Sequence, residues 1–162
     1  METRQRPYVE IYDTTLRDGT QQEGISLTAG EKLRVARLLD DLGVPYVEGG
    51  WPGANPKDDE FFARAVDELD LHTATLVAFG STRRPRGRPE NDPQLDALLA
   101  AGTGVICLVG KSWDYHVEHA LRTSEEDAVA MVADSIAHLR AEGRRVFFDA
   151  EHFFDGYRSN PG

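Results

Sequence analysis

The residues of this chain best suited to chemistry are Arg17 and Asp18, adjacent in the string Tyr12-Asp13-Thr14-Thr15-Leu16-Arg17-Asp18-Gly19. Neighbouring side chains in a turning backbone point different ways, so one can grip an anion while the other binds a hard cation. Further polar groups end other apolar runs: Glu48 after Tyr46-Val47, Ser81 after Phe79-Gly80, Lys111 after Val109-Gly110, and Asp149 and Glu151 after Val146-Phe147-Phe148. Carboxylates gathered in one place repel one another unless a cation lies among them. A divalent ion that favours oxygen ligands, Mg²⁺ or Mn²⁺ with Zn²⁺ as the alternative, suits such a set. Taken singly, each carboxylate has a plainer use as a helix cap or salt-bridge partner. Their shared position at run ends is what points to an ion.

The elements that must hold these groups alternate along the chain. Strands are expected at 8–11, 44–48, 73–79, 105–109 and 146–151, from short runs rich in Val, Ile, Phe and Tyr. Between them lie four helices with readable starts. Thr28 and Glu31 form a capping box before Leu33, Ala36, Leu39 and Leu42, and Gly43 ends that helix. Asn55-Pro56 opens the second, with Phe62, Ala65, Val66 and Leu69 inward, and Asp92-Pro93 the third, with Leu95, Leu98 and Leu99 inward. Thr123-Ser124-Glu125-Glu126 caps the longest, whose buried stripe is expected at Val129, Val132, Ile136 and Leu139. A short helical excursion is expected within 112–121. This rhythm implies parallel strands joined by right-handed helical crossovers, a layout that gathers ligands at the C-terminal strand ends. It does not separate a barrel from an open doubly wound sheet, although no G-x-G-x-x-G follows the first strand.

A chain of 162 residues is long enough for one domain with a sizeable core, and its net charge of −10 excludes a nucleic-acid partner. The basic cluster Arg83-Arg84-Pro85-Arg86-Gly87-Arg88 is the local exception, expected as a solvated loop, with contact to the phosphates of a ligand as the other reading. The one cysteine, Cys107, excludes an internal disulfide and lies within an apolar run, so it reads as a small buried hydrophobe in a cytoplasmic protein. With neither a signal peptide nor an apolar run of about 18 residues, membrane insertion is not expected.

The string DTTLRDG resembles the opening motif of the family holding 2-isopropylmalate synthase, homocitrate synthase, citramalate synthase and hydroxymethylglutaryl-CoA lyase. The stretches EGGWPGANPKD, GKSWDYHVEHAL and FFDAEHFFDGY are most similar to its citramalate synthase branch. The resemblance implies an α/β fold, a partial (β/α)8 TIM barrel of about five parallel strands and four intervening helices. Because such a barrel needs roughly 250 residues, residues 1–162 would be the N-terminal portion of a pyruvate carboxyltransferase-type catalytic domain. It further implies a Claisen-type condensation of acetyl-CoA with a 2-oxo acid. Pyruvate, giving citramalate, is the preferred acceptor, with isopropylmalate or homocitrate synthesis as alternatives. Partners would be these small molecules, and the full-length enzyme a homodimer.

By the same resemblance Asp18 matches the metal-binding aspartate, and Arg17 the arginine that contacts the 2-oxo acid. Glu151 matches a glutamate that contacts substrate or catalytic water, and Glu48 one near the metal. Gln21 and Gln22 lie in the loop that approaches metal and acyl-CoA, and His116 falls where a histidine follows the fourth strand. The family's His-x-His ligand pair has no match among His72, His116, His119, His138 and His152. The isolated chain is therefore expected to be inactive. A reading of another class is a noncatalytic half-barrel that binds only a ligand or a partner chain.

Overall fold

The computed structural model describes residues 9–162. Five strands, β1 (Tyr12–Asp13), β2 (Tyr46–Gly50), β3 (Thr75–Ser81), β4 (Val105–Lys111) and β5 (Arg145–Glu151), pair in sequence order. Every pairing is parallel. Helices α1 (Ala29–Asp41), α2 (Pro56–Glu68), α3 (Pro93–Ala100) and α5 (Glu125–Ala141) make the crossovers. The expected excursion is a short α4 (Asp114–His116) running into a π turn, Val117–Leu121, and α6 (Phe153–Ser159) follows β5.

Strand side chains alternate between two cores. Val47, Ala78, Ile106 and Leu108 pack outward against Leu33, Phe61, Phe62, Leu95 and Leu98 of the helices. Tyr46, Val77, Phe79, Val105 and Cys107 pack inward with Tyr12, Trp51, Val109 and Phe147. The inward set shows that the sheet curls. A flat sheet would hold β1 and β5 about 19 Å apart, four spacings of about 4.8 Å. Here the Tyr12 and Phe147 rings lie 5.8 Å apart, and Arg145 Nη1 donates to the Tyr46 hydroxyl at 2.6 Å. The architecture is a half-barrel with helices outside, a partial TIM barrel.

The caps form as expected: Thr28 and Glu31 bond reciprocally, and Asn55, Asp92 and Ser124 accept from the first free amides of their helices. Boundaries and faces differ from expectation in several places. The expected first strand falls partly outside the described residues at Tyr8. Val9 and Ile11 are exposed and pairing begins only at Tyr12. Strands β2, β3 and β4 run two residues further than expected, through Gly49, Gly80 and Gly110. These glycines face the helices, where a Cβ would come within 2.5 Å of Phe61, 2.9 Å of Gln94 and 2.8 Å of Phe148. They are packing positions and not strand breaks.

Leu42, Val66 and Val129, expected inward, are exposed, and Phe61, Met131 and Ser135 take the buried places instead. Ser135 can be buried because its hydroxyl donates to Met131 O and accepts from Arg83 N. Arg83 departs from the solvated-loop expectation: it is 4% exposed and bound to Asp134 and Asp127. Arg84, Arg86 and Arg88 remain exposed. No helix among the described residues is long and apolar enough to cross a membrane.

Candidate active site

The β1–α1 loop builds the site from a tight turn. Asp13 accepts from the amide and hydroxyl of Thr15, while Arg17 N and Gly19 N both donate to Thr14 O. Leu16, fully buried, anchors this turn in the outer core, which leaves its neighbour Arg17 facing the barrel interior. Arg17 Nε donates to Glu48 Oε1 at 2.5 Å, and the guanidinium lies 3.9 Å over the Phe79 ring. The second oxygen of Glu48 accepts from the Tyr12 hydroxyl at 2.5 Å. Glu48 is 1% exposed, so its desolvation is offset only by these two donors. Burial first, then the bond to Glu48, pushes the Tyr12 hydroxyl far above its ordinary range, which keeps it a donor.

Above this clamp opens a cleft of about 600 Å³. Arg17, Asp18 and Gln21 line it from the first loop, Trp51 and Phe79 from β2 and β3, Lys111 from β4, and Asp149 and Glu151 from β5. It lies at the C-terminal strand ends, where crossover loops leave the sheet. The acidic groups assigned to separate strands thus share one mouth: Asp18, 61% exposed and bonded to Arg17 Nη1 at 3.1 Å, and Glu151, paired with Lys111. Burial pushes the neighbouring Cys107 thiol up to about 11, in keeping with an inert core residue.

Three expected site residues lie off the lining: Gln22, exposed beside Gln21, and Glu48 and His116. Glu48 is beneath the cleft with both oxygens occupied, so it supports Arg17 and does not reach a ligand itself. His116 packs with Trp113 and His152, ring centroids 4.7 and 4.5 Å away, and does not line the cleft. His119 does not join it, since its ring stacks on Tyr115. Among the residues of the site, Tyr12 was visible only as the first residue of the opening motif, and Asp149 and Lys111 were set at strand ends without an assigned role.

The loop carrying Trp51 is fixed by a buried ion pair. Lys32, 3% exposed, bonds Asp58 and Gly49 O, and Asp58 also accepts from Trp51 N. Burial pulls the Lys32 ammonium below its usual range, opposed by Asp58. As a metal site, the mouth offers the hard carboxylates of Asp18, Asp149 and Glu151 along its lining. Among the described residues no group of three His, Cys, Asp or Glu converges on a common point.

The chain is similar to known proteins. Residues 8–158 match the family model described as HMGL-like. The chain belongs to the HMGL-like family. Within it, an (R)-citramalate synthase of Streptomyces coelicolor is 62% identical over 151 residues, which cover 93% of this chain and 28% of the relative. A 2-isopropylmalate synthase of Synechococcus sp. (strain WH7803) is 35% identical over 153 residues, 94% of this chain and 27% of the relative. The chain thus spans under a third of the length of these curated relatives. A crystal structure of hydroxymethylglutaryl-CoA lyase from Pseudomonas aeruginosa superposes with a TM-score of 0.64 at 18% identity, covering 86% of this chain and 45% of that one. That likeness establishes the HMGL-like barrel fold.

Proposed function

We propose that this chain forms part of the catalytic mouth of an enzyme that condenses acetyl-CoA with pyruvate and water to give (R)-citramalate and CoA, a step toward isoleucine. The observation that carries the reading is Arg17, clamped by Glu48 and facing the same cleft as Asp18 and Glu151. Support for pyruvate over a bulkier acceptor comes from the higher identity to the relative named for citramalate.

With its Nε held by Glu48 and its Nη1 bonded to Asp18, Arg17 lines the cleft, where its guanidinium would bind the oxygens of the 2-oxo acid and steady charge developing on its keto oxygen. A divalent ion, when bound, would supply Lewis-acid polarisation of that keto group. Asp18 would be one of its ligands, and the others would come from the part of a full-length relative that this chain does not span. Glu151 would accept a proton from the acetyl methyl group, or hold the water that later attacks the thioester. The C–H electron pair becomes the new carbon–carbon bond, and hydrolysis of the thioester releases CoA as a thiol. Gln21 lies on the lining, where it would face the thioester, whereas His116 would act through α4.

Residues 1–162 would then be the N-terminal portion of a longer barrel, inactive alone and homodimeric when complete. The buried free thiol of Cys107 supports a cytoplasmic setting. The test follows free thiol released by the full-length enzyme from acetyl-CoA, Mn²⁺ and either pyruvate or 2-oxoisovalerate. Pyruvate should be the faster acceptor, and Arg17→Ala or Asp18→Ala should lower kcat by about 100-fold or more. A preference for 2-oxoisovalerate, or unchanged rates in both variants, would overturn the reading.

A further inference from the structure

The sequence sets Lys111 at a strand end without a role, and the register places it beside the β5 carboxylate that the proposed reaction uses. In the β4–β5 ladder Lys111 pairs directly with Glu151, so the two side chains leave neighbouring strands on the same, inward face. Lys111 Nζ bonds Glu151 Oε2, and both residues line the cleft while remaining about one-third exposed. The strand ends themselves are tied, since Ser112 N donates to Glu151 O at 3.1 Å.

Among the described residues, the other charged groups around Glu151 leave Lys111 as its one cation. Asp149, two residues earlier on β5, faces the same cleft and is like-charged, as is Asp18 across the mouth. Arg17 is committed to Glu48 and Asp18. His152, next in sequence, turns its Nδ1 to Asp155 at 3.2 Å. A carboxylate with two acidic neighbours and one ammonium takes its direction from the ammonium.

We propose that Lys111 is a positioning residue for Glu151: it fixes the carboxylate in one orientation toward the 2-oxo acid and acetyl groups and does not itself hold substrate. This rests on the condensation reading above. Misplacing a reacting group by about 1 Å costs roughly 100-fold in rate.

The experiment uses the full-length enzyme with acetyl-CoA, pyruvate and Mn²⁺. Pyruvate-dependent thiol release by the wild type decides the condensation reading, and the variants then decide the role of Lys111. Lys111→Met should lower kcat by about 100-fold while leaving the KM for pyruvate within about twofold. Lys111→Arg should recover most of the loss, because a guanidinium can still bond Glu151. In a Glu151→Gln background Lys111→Met should add no further loss, the mark of two residues acting as one unit. Lys111→Gln, of similar length, serves where the Met variant does not fold. The proposal is overturned if kcat is unchanged, if only KM rises, if Lys111→Arg is no better than Lys111→Met in folded enzyme, or if the two losses add in full.

Discussion

Replacing Tyr12 with phenylalanine removes one oxygen and leaves the ring that packs on Tyr46 and Phe147. Among the described residues, that oxygen is one of two donors to Glu48, the other being Arg17 Nε. At 1% exposure Glu48 cannot recruit water in its place. A buried acceptor left unpaired costs about 1–3 kcal/mol. If about 2 kcal/mol of this reaches the transition state through a looser Arg17, kcat/KM falls by about 30-fold, at 1.36 kcal/mol per decade. Glu48→Gln should cost more, since breaking a buried ion pair runs to about 3–5 kcal/mol, and the double variant should cost less than the sum. The assay is pyruvate-dependent thiol release by full-length enzyme, with melting temperature measured alongside. If Tyr12→Phe keeps both kcat/KM and melting temperature, the clamp does not position Arg17 and the reasoning fails.

Two further outcomes follow from groups outside the cleft. Asp40 accepts from Ala74, Thr73 and His72 N at 2.6, 2.7 and 2.9 Å, and these bonds hold its carboxyl below the usual range. Its contribution to stability is present above pH about 4 and is lost as pH falls through the lowered value. Asp40→Asn should therefore lower the denaturation midpoint at neutral pH, with the gap to wild type narrowing in acid; a gap constant with pH would refute this. Cys107, buried with its thiol pushed up to about 11, should resist a thiol reagent at pH about 8 and react only on unfolding. Fast labelling of native protein would contradict that.

Local chemistry was legible in the sequence, and cross-strand chemistry was not. The caps at Thr28, Asn55, Asp92 and Ser124 depend on groups within three residues, so type and spacing suffice to place them. Arg17, Asp18 and Glu151 were legible because strand ends converge in any parallel α/β layout. The register-dependent parts were hidden. Glu48 reads as a free carboxylate until Tyr12, 36 residues away, is seen to bond it. Lys111 is a strand-end lysine without a role until the β4–β5 register sets it beside Glu151. Helix faces failed where an apolar residue flanks the stripe, as at Val66 and Val129, and where a polar one fills it, as at Ser135. Composition assigns these the wrong way round, and only their partners decide.

The contact of Phe147 with Tyr12 and Tyr46, and the reach of Arg145 to the Tyr46 hydroxyl, act as a spacer gauge between the two ends of the sheet. The backbone ladder sets each step from strand to strand, but only these four side chains set the chord across the arc. Arg17 follows β1 at one end of the sheet, and Glu151 closes β5 at the other. Phe147, whose ring touches both Tyr12 and Tyr46, is thus the β5 side chain that meets the first two strands across the curl.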